Sequence, residues 1–180
     1  MEETYGEDPY LTARMGVAFV KSVEQQGVLT TPKHYAANFV GDGGRDSNII
    51  SFSERILREI YLPAFKAVFQ EGGATSVMAA YNSLDGVPCS ANKWLLTDVL
   101  RKEWGFKGFV VSDYGSLNGV WEMHRVGGTP KEAASLALES GMDVELPNVY
   151  YYGDPITQAV KDKRISEKVR PTGKHEADNC

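Results

Sequence analysis

Four short runs of apolar and β-branched residues punctuate the chain, at 28–32, 76–80, 109–112 and 142–146. They are continuous rather than alternating, which suits strands of a parallel sheet covered on both faces. Between them the apolar positions recur at helical spacing. Ile56, Leu57, Ile60, Leu62, Phe65, Val68 and Phe69 mark a helix over 54–71, and Pro63 inside it predicts a kink or break. Asp8-Pro9 supplies an N-cap and a first-turn proline for a helix to about Gln26. Asn92 caps a helix over 93–104 that Gly105 closes. Thr129-Pro130-Lys131-Glu132 has the form of a capping box and opens a helix to Ser140, and Asp154-Pro155 opens the last one, to about Lys163.

The last three runs begin at 76, 109 and 142, a repeat of 33 residues and about one βα unit each. The first interval is longer by a glycine-rich polar stretch at 40–53, which reads as a long βα loop. One helix followed by four strand–helix units predicts an α/β fold with a parallel sheet, most simply part of a (β/α)8 TIM-type barrel or a doubly wound sheet. A full barrel takes about 250 residues. Four βα units therefore predict an incomplete (β/α)8 barrel with two unpaired strand edges, completed by residues upstream of Met1 or by a second copy. Residues 171–180 hold just Ala177 and Cys180 as apolar positions and are expected to be a disordered tail, leaving 1–170 as the folded unit.

Composition narrows the function classes. With 42% apolar and 24% charged residues, wholesale disorder and a low-complexity fibre are excluded. A net charge of −5 argues against nucleic acid as a partner, because phosphate binding needs clustered Lys and Arg. No run approaches about 18 apolar residues, so no helical membrane span is expected. Met1-Glu2-Glu3-Thr4 has neither the basic nor the apolar region of a signal peptide. The compartment stays open, and a periplasmic or secreted location suits an intact parent. Cys89 and Cys180 are too few for a disulfide framework.

In barrel enzymes reactive side chains sit at the C-terminal ends of strands, where the βα loops build the site. Asp113 directly follows the run at 109–112. It reads as a nucleophile or general base, or as an N-cap for a helix near Leu117. Lys33 and His34 end the first strand, where neighbours point to opposite faces unless the strand has turned. They can donate hydrogen bonds to sugar hydroxyls, Lys33 can form a Schiff base, or they are a surface lysine and a structural histidine. Tyr81 ends the second strand, three residues after Met78, placed to orient a nucleophile or to close the core edge. Arg45-Asp46 sits beside Gly41-Asp42-Gly43-Gly44, which lacks the pattern of a P-loop or a dinucleotide loop, so Arg45 is at most a pocket contact. Asp143 and Glu145 are two apart on one strand face and form either an acid/base pair or buried structural anions. His124 and His175 show no metal-ligand spacing and no Cys/His zinc arrangement exists, so no catalytic metal is expected.

These strand-end residues resemble a known family. Lys33-His34-Tyr35, Ser53-Glu54-Arg55, Ser76-Val77-Met78-Ala79-Ala80-Tyr81-Asn82, Asn92-Lys93-Trp94-Leu95-Leu96-Thr97, Trp104-Gly105-Phe106-Lys107-Gly108-Phe109-Val110-Val111-Ser112-Asp113 and Gly141-Met142-Asp143-Val144-Glu145-Leu146-Pro147 are similar to glycoside hydrolase family 3. The resemblance runs from Glu7 to about Val169. It implies the C-terminal part of a (β/α)8 barrel domain and exo-acting, retaining hydrolysis of a β-linked glucoside or xyloside, without a cofactor. By the same resemblance Asp113 is the nucleophile, Lys33 and His34 hold hydroxyls of the innermost sugar, Tyr81 lies beside the nucleophile and Met78 packs nearby. Tyr114 stands where many members carry Trp and makes a pocket wall.

Family members place an aspartate and an arginine on strands preceding this segment, and commonly take the acid/base glutamate from a following domain. The chain is thus expected to be a fragment, weak or inactive alone. Lys33-His34-Tyr35-Ala36-Ala37-Asn38 departs from the Lys-His-Phe-Pro-Gly-His loop of the N-acetylglucosaminidase branch, leaving β-glucosidase or β-xylosidase. The competing readings are a catalytically inactive sugar-binding or assembly half-barrel, and a Schiff-base aldolase acting through Lys33.

Overall fold

The computed structural model describes residues 3–41, 44 and 47–166. The tail expected at 171–180 and the pocket contact expected of Arg45 both lie outside the described residues. The chain order is α1 (Pro9–Glu24), β1 (Ile49–Ile50), α2 (Glu54–Ile56), α3 (Pro63–Gln70), β2 (Ser76–Met78), β3 (Ser83–Leu84), β4 (Val87–Pro88), β5 (Phe109–Val111), α4 (Ser116–Asn118), α5 (Pro130–Ser140) and α6 (Asp154–Lys161). Wider helical stretches at Leu57–Tyr61, Trp94–Glu103 and Gly119–Met123 carry bonds five residues back, such as Trp104 N–H to Val99 O at 3.0 Å.

Three of the local start signals act as the sequence predicts, while at the last helix Asp154 lies inside the first turn and no side chain caps it. Asp8 accepts the Leu11 N–H at the head of α1, and Asn92 accepts the Leu95 N–H at 3.0 Å. Thr129 accepts the Glu132 N–H at 3.2 Å, while Glu132 reaches back to the N–H of Gly128, one residue earlier than a strict capping box. The helix predicted over 54–71 breaks at Leu62, and Pro63 starts α3.

Four parallel segments lie side by side in sequence order. β2 pairs with β5 in the register Ser76↔Phe109, Val77↔Val110 and Met78↔Val111. On the other side of β2, Tyr35 pairs with Ala79, and beyond β5, Val111 pairs with Val144. The outer segments are shorter than the sequence suggests. The backbone bonds of the first to β2 are at Pro32, the end of the run 28–32, and at Tyr35 beyond it, while Val28 and Leu29 are exposed. The reason is local: the Thr30 N–H is taken by Glu24, and Pro32 has no N–H to give. Within the stretch at 40–53, read as plain loop, Ile49–Ile50 pairs in parallel with β3, and β3 and β4 form a hairpin. Asp85 and Gly86 turn it with both φ values positive, the geometry of a tight two-residue hairpin loop. Among the described residues the sheets do not close into a barrel.

The core lies between the parallel layer and its helices. Tyr35, Phe65, Phe69, Trp104 and Phe106 interlock, with ring centroids 5.0 Å apart for Tyr35 and Phe65 and 4.9 Å for Phe69 and Phe106. Burying such side chains contributes about 1.5–3 kcal/mol each. Burial pushes the Tyr35 phenol well up and the Cys89 thiol up to about 12. Glu24, at the end of α1, ties the starts of two strands together. It accepts from the Thr30 N–H at 2.8 Å, the Thr30 hydroxyl at 2.7 Å, and the Thr75 N–H and hydroxyl at 3.3 and 3.2 Å. Partial burial opposes its charge, but these hydrogen bonds outweigh burial and hold its pKa below the ordinary value.

Gly108 lets β2 and β5 approach: a Cβ there would lie 2.0 Å from the Thr75 carbonyl oxygen. Among the described residues no helix is long and apolar enough to cross a membrane.

Candidate active site

Three segments meet at the carboxylate of Asp113, which leaves β5 at its C-terminal end. Ser112 just before it donates its N–H to Val144 O at 2.8 Å, fixing the strand end on its far side. Asp113 Oδ1 accepts the Tyr81 hydroxyl at 3.0 Å and the Tyr114 N–H at 2.7 Å. Oδ2 lies 3.1 Å from His34 Nε2. The two side chains are just 11% and 12% exposed. A carboxylate accepts, so Nε2 is the proton-bearing nitrogen of His34 in this pair. The alternative role of Asp113 as a helix cap is not realised: Gly115, at φ 71°, precedes α4, and no side chain caps it.

The other predicted residues divide. Tyr81 is at the nucleophile candidate, and its hydroxyl also lies 3.0 Å from Tyr114 O, so one proton serves two acceptors. Tyr114 contributes main-chain atoms to this cluster, and its residue is 63% exposed. Met78 sits on β2 with its N–H on Pro32 O and its carbonyl on the Tyr35 N–H. Lys33 is bound to Glu3, with Nζ 3.2 and 3.1 Å from the two carboxylate oxygens. His34 thus reaches Asp113, while Lys33 sits one ion pair away.

Asp143 and Glu145 are both engaged by donors of the surrounding fold. Asp143 is paired with Arg101 and accepts the Val110 N–H at 2.7 Å. Arg101 also donates to Gly108 O and Gly141 O. Glu145 accepts the N–H groups of Tyr150, Tyr151 and Tyr152 at 3.0, 3.0 and 2.9 Å. Each carboxylate is spent on donors that cannot leave without unpairing buried backbone.

Two participants escaped sequence reasoning. Glu3 faces Lys33 and stands 3.9 Å from His34 Nε2. His124, weighed in the sequence as a metal ligand alone, contacts Tyr81 O through Nε2 at 2.9 Å. Neither carries a local pattern, since both contacts span distant parts of the chain.

A cavity of about 420 Å³ adjoins Tyr81, with Ser116, Asn118 and Glu122 on its walls. Glu122 accepts from the Asn118 amide, whose oxygen accepts the Tyr151 hydroxyl at 2.6 Å. A larger, apolar groove of about 720 Å³ runs between α1, α3 and residues 29–33; Asp113, His34 and Tyr81 do not line it.

A parallel α/β layer presenting a clasped carboxylate at a central strand end defines a class of site, and comparison with known proteins supplies the family. Residues 1–171 match the glycosyl hydrolase family 3 N terminal domain, and the chain belongs to that family. It is 43% identical over 154 residues to a β-xylosidase of Formosa agariphila, covering 81% of this chain and 21% of that protein. It is 39% identical over 155 residues to a periplasmic β-glucosidase of Salmonella typhimurium, covering 83% and 20%. A β-glucosidase structure from Erythrobacter marinus superposes with a TM-score of 0.89 at 36% identity, covering 96% of this chain and 24% of that one. The chain spans about a fifth of the length of the curated relatives it matches.

Proposed function

We propose that this chain carries the nucleophile side of an exo-acting, retaining β-glycosidase, acting on β-glucosides or β-xylosides. The observation that carries the reading is the Asp113 carboxylate, held at the end of β5 by donors from three segments. Names of the relatives support the substrate class.

The contacts also distinguish the two oxygens. Oδ1 has both in-plane lone pairs engaged, by Tyr81 and Tyr114. Among the described residues Oδ2 has one partner, His34, so a lone pair remains to attack the anomeric carbon. In that step the C–O bond to the leaving group breaks as the Oδ2–C1 bond forms, and a proton donor protonates the departing oxygen. Water then cleaves the ester with retention. Glu3 is engaged by Lys33, so the proton donor is assigned to a part of the protein outside this cluster. Lys33 has a third N–H to offer a sugar hydroxyl, and the Tyr114 ring flanks the mouth as an aromatic wall.

For the fold, the reading is that residues 1–170 form four βα units of the C-terminal half of a (β/α)8 barrel. The remaining strands come from other parts of the polypeptide or from a second copy. The short coverage of relatives and the outer segments' single bridges support this. A periplasmic or secreted parent fits the Salmonella relative's description.

The test is a 2-deoxy-2-fluoro-β-glycoside with a good leaving group, incubated with the protein made from its complete coding sequence. Peptide mass spectrometry is expected to find the sugar on Asp113, and Asp113→Ala to remove both label and turnover while the protein still melts cooperatively. A label on any other carboxylate would overturn the assignment.

A further inference from the structure

We propose that His124 is a positioning residue for this site, holding the main chain of Tyr81 so that its phenol reaches Asp113. The inference rests on the glycosidase reading and adds a residue to it.

The regular pairing of β2 with β5 ends where the Ala79 N–H meets Val111 O at 2.9 Å. Tyr81 lies beyond that last rung, so no ladder bond joins it to β5, although its neighbours Ala80 and Asn82 are held by Tyr35 O and the Cys89 N–H. Side-chain contacts join it to the segment after β5. Its hydroxyl reaches Asp113 Oδ1 at 3.0 Å, and its carbonyl oxygen lies 2.9 Å from His124 Nε2. A carbonyl accepts, so Nε2 is the donor.

His124 is itself firmly seated. It ends the turn Gly119–Met123, which follows the Asp113 strand, and its N–H bonds to Gly119 O at 2.8 Å. The next residues fold back, with the Val126 and Gly127 N–H groups on Val120 O, and Val120 is fully buried. The imidazole therefore transfers the rigidity of the segment after Asp113 to the segment that carries Tyr81.

The alignment matters because the Tyr81 proton has two acceptors at the same 3.0 Å, Asp113 Oδ1 and Tyr114 O. A small tilt of the Tyr81 main chain decides between them. With His124 in place the phenol serves the carboxylate as negative charge leaves it for the anomeric carbon. Without it the hydroxyl settles on Tyr114 O.

A double-mutant cycle tests this in the protein made from its complete coding sequence, with an aryl β-glucoside as probe. His124→Phe, which keeps a ring and removes the donor, is expected to lower kcat about 5- to 10-fold with little change in KM. In a Tyr81→Phe background the same change is expected to stay within about 1.5-fold, because the contact acts through the lost hydroxyl. Equal losses in both backgrounds would mean a merely structural role and overturn the proposal. His124→Gln, which offers an amide N–H at similar reach, covers the case in which His124→Phe does not fold. It should retain kcat, and a full loss in a normally folded Gln variant also overturns the proposal. A crystal structure of His124→Phe gives a readout independent of turnover: the Tyr81 hydroxyl should move to Tyr114 O, and its staying on Asp113 Oδ1 refutes the assignment. The fluoro-sugar label reports separately on Asp113, so the two readings can fail independently.

Discussion

Glu24→Ala removes the carboxylate that joins the end of α1 to the starts of two strands. The size of the loss follows from its partners. The bonds to the Thr30 N–H and hydroxyl are short, at 2.8 and 2.7 Å, and Thr30 is 7% exposed, so these donors have little access to water. Hydrogen bonds to a charged acceptor contribute about 1.5–3 kcal/mol each. Both are taken at the low end because Glu24 itself is partly exposed, and the longer bonds to Thr75 add little. The sum is about 3 kcal/mol, or a melting temperature lower by about 6–12 °C for a chain of this size. Glu24→Gln keeps an acceptor oxygen and loses the charge, and is expected to cost about 1 kcal/mol.

Acidity separates charge from geometry. Burial works against the charge of Glu24, yet its hydrogen bonds from Thr30 and Thr75 leave the pKa depressed. A carboxylate with a depressed folded-state pKa stabilises fully above its unfolded value, about 4.3. That contribution is lost as pH falls through the lower folded value. The gap between wild type and Glu24→Gln should thus be full near neutrality and close in acid, read by urea unfolding at about pH 7, 5 and 3. A Glu24→Ala melting temperature within about 1 °C of wild type would refute the reasoning. So would a gap to Glu24→Gln that stays constant across that pH range.

Two further substitutions probe the strand layer. Arg101→Met leaves Asp143, whose side chain is 3% exposed, without its cation and should cost about 3–5 kcal/mol; Arg101→Met/Asp143→Leu should regain part of it, less the about 1–3 kcal/mol for the Val110 N–H that it leaves unpaired. Additive losses in urea unfolding would dismiss the ion-pair account. Gly108→Ala drives a Cβ against the Thr75 carbonyl and should cost at least about 3 kcal/mol. Gly105→Ala, at φ 73° with open space around it, should cost about 1 kcal/mol. The reverse order would show that backbone conformation, not strand approach, constrains this motif.

Most of the fold is legible because its signals are local. Asp8, Asn92 and Thr129 each act within three residues of themselves, and Pro63 breaks the helix that holds it. What the sequence misplaces depends on partners outside the element itself. The first strand segment shifts from 28–32 towards Tyr35 because Glu24, on the preceding helix, claims the Thr30 N–H. Ile49–Ile50 becomes a strand because β3 lies beside it, not because two isoleucines in a polar stretch announce one. The site shows the same division. Position at a strand end singles out Asp113, His34 and Tyr81, whereas Glu3 and His124 join through contacts across about 30 to 43 positions.

Three carboxylates of the parallel layer show why position alone does not make a reactive group. Asp143, Glu145 and Asp113 all lie at or near the ends of its last two strands, and each is nearly buried. Asp143 is locked by a guanidinium and a strand N–H, and Glu145 by three successive N–H groups of one turn. Releasing either would leave buried donors unpaired, at a cost of about 1–3 kcal/mol for each. Asp113 differs in which oxygen is held. Two donors fix Oδ1 and so the plane of the carboxylate, while Oδ2 faces a single imidazole. An attack by Oδ2 therefore leaves the Oδ1 contacts in place. Orientation is retained and one electron pair stays available, the combination that the displacement proposed for Asp113 would require.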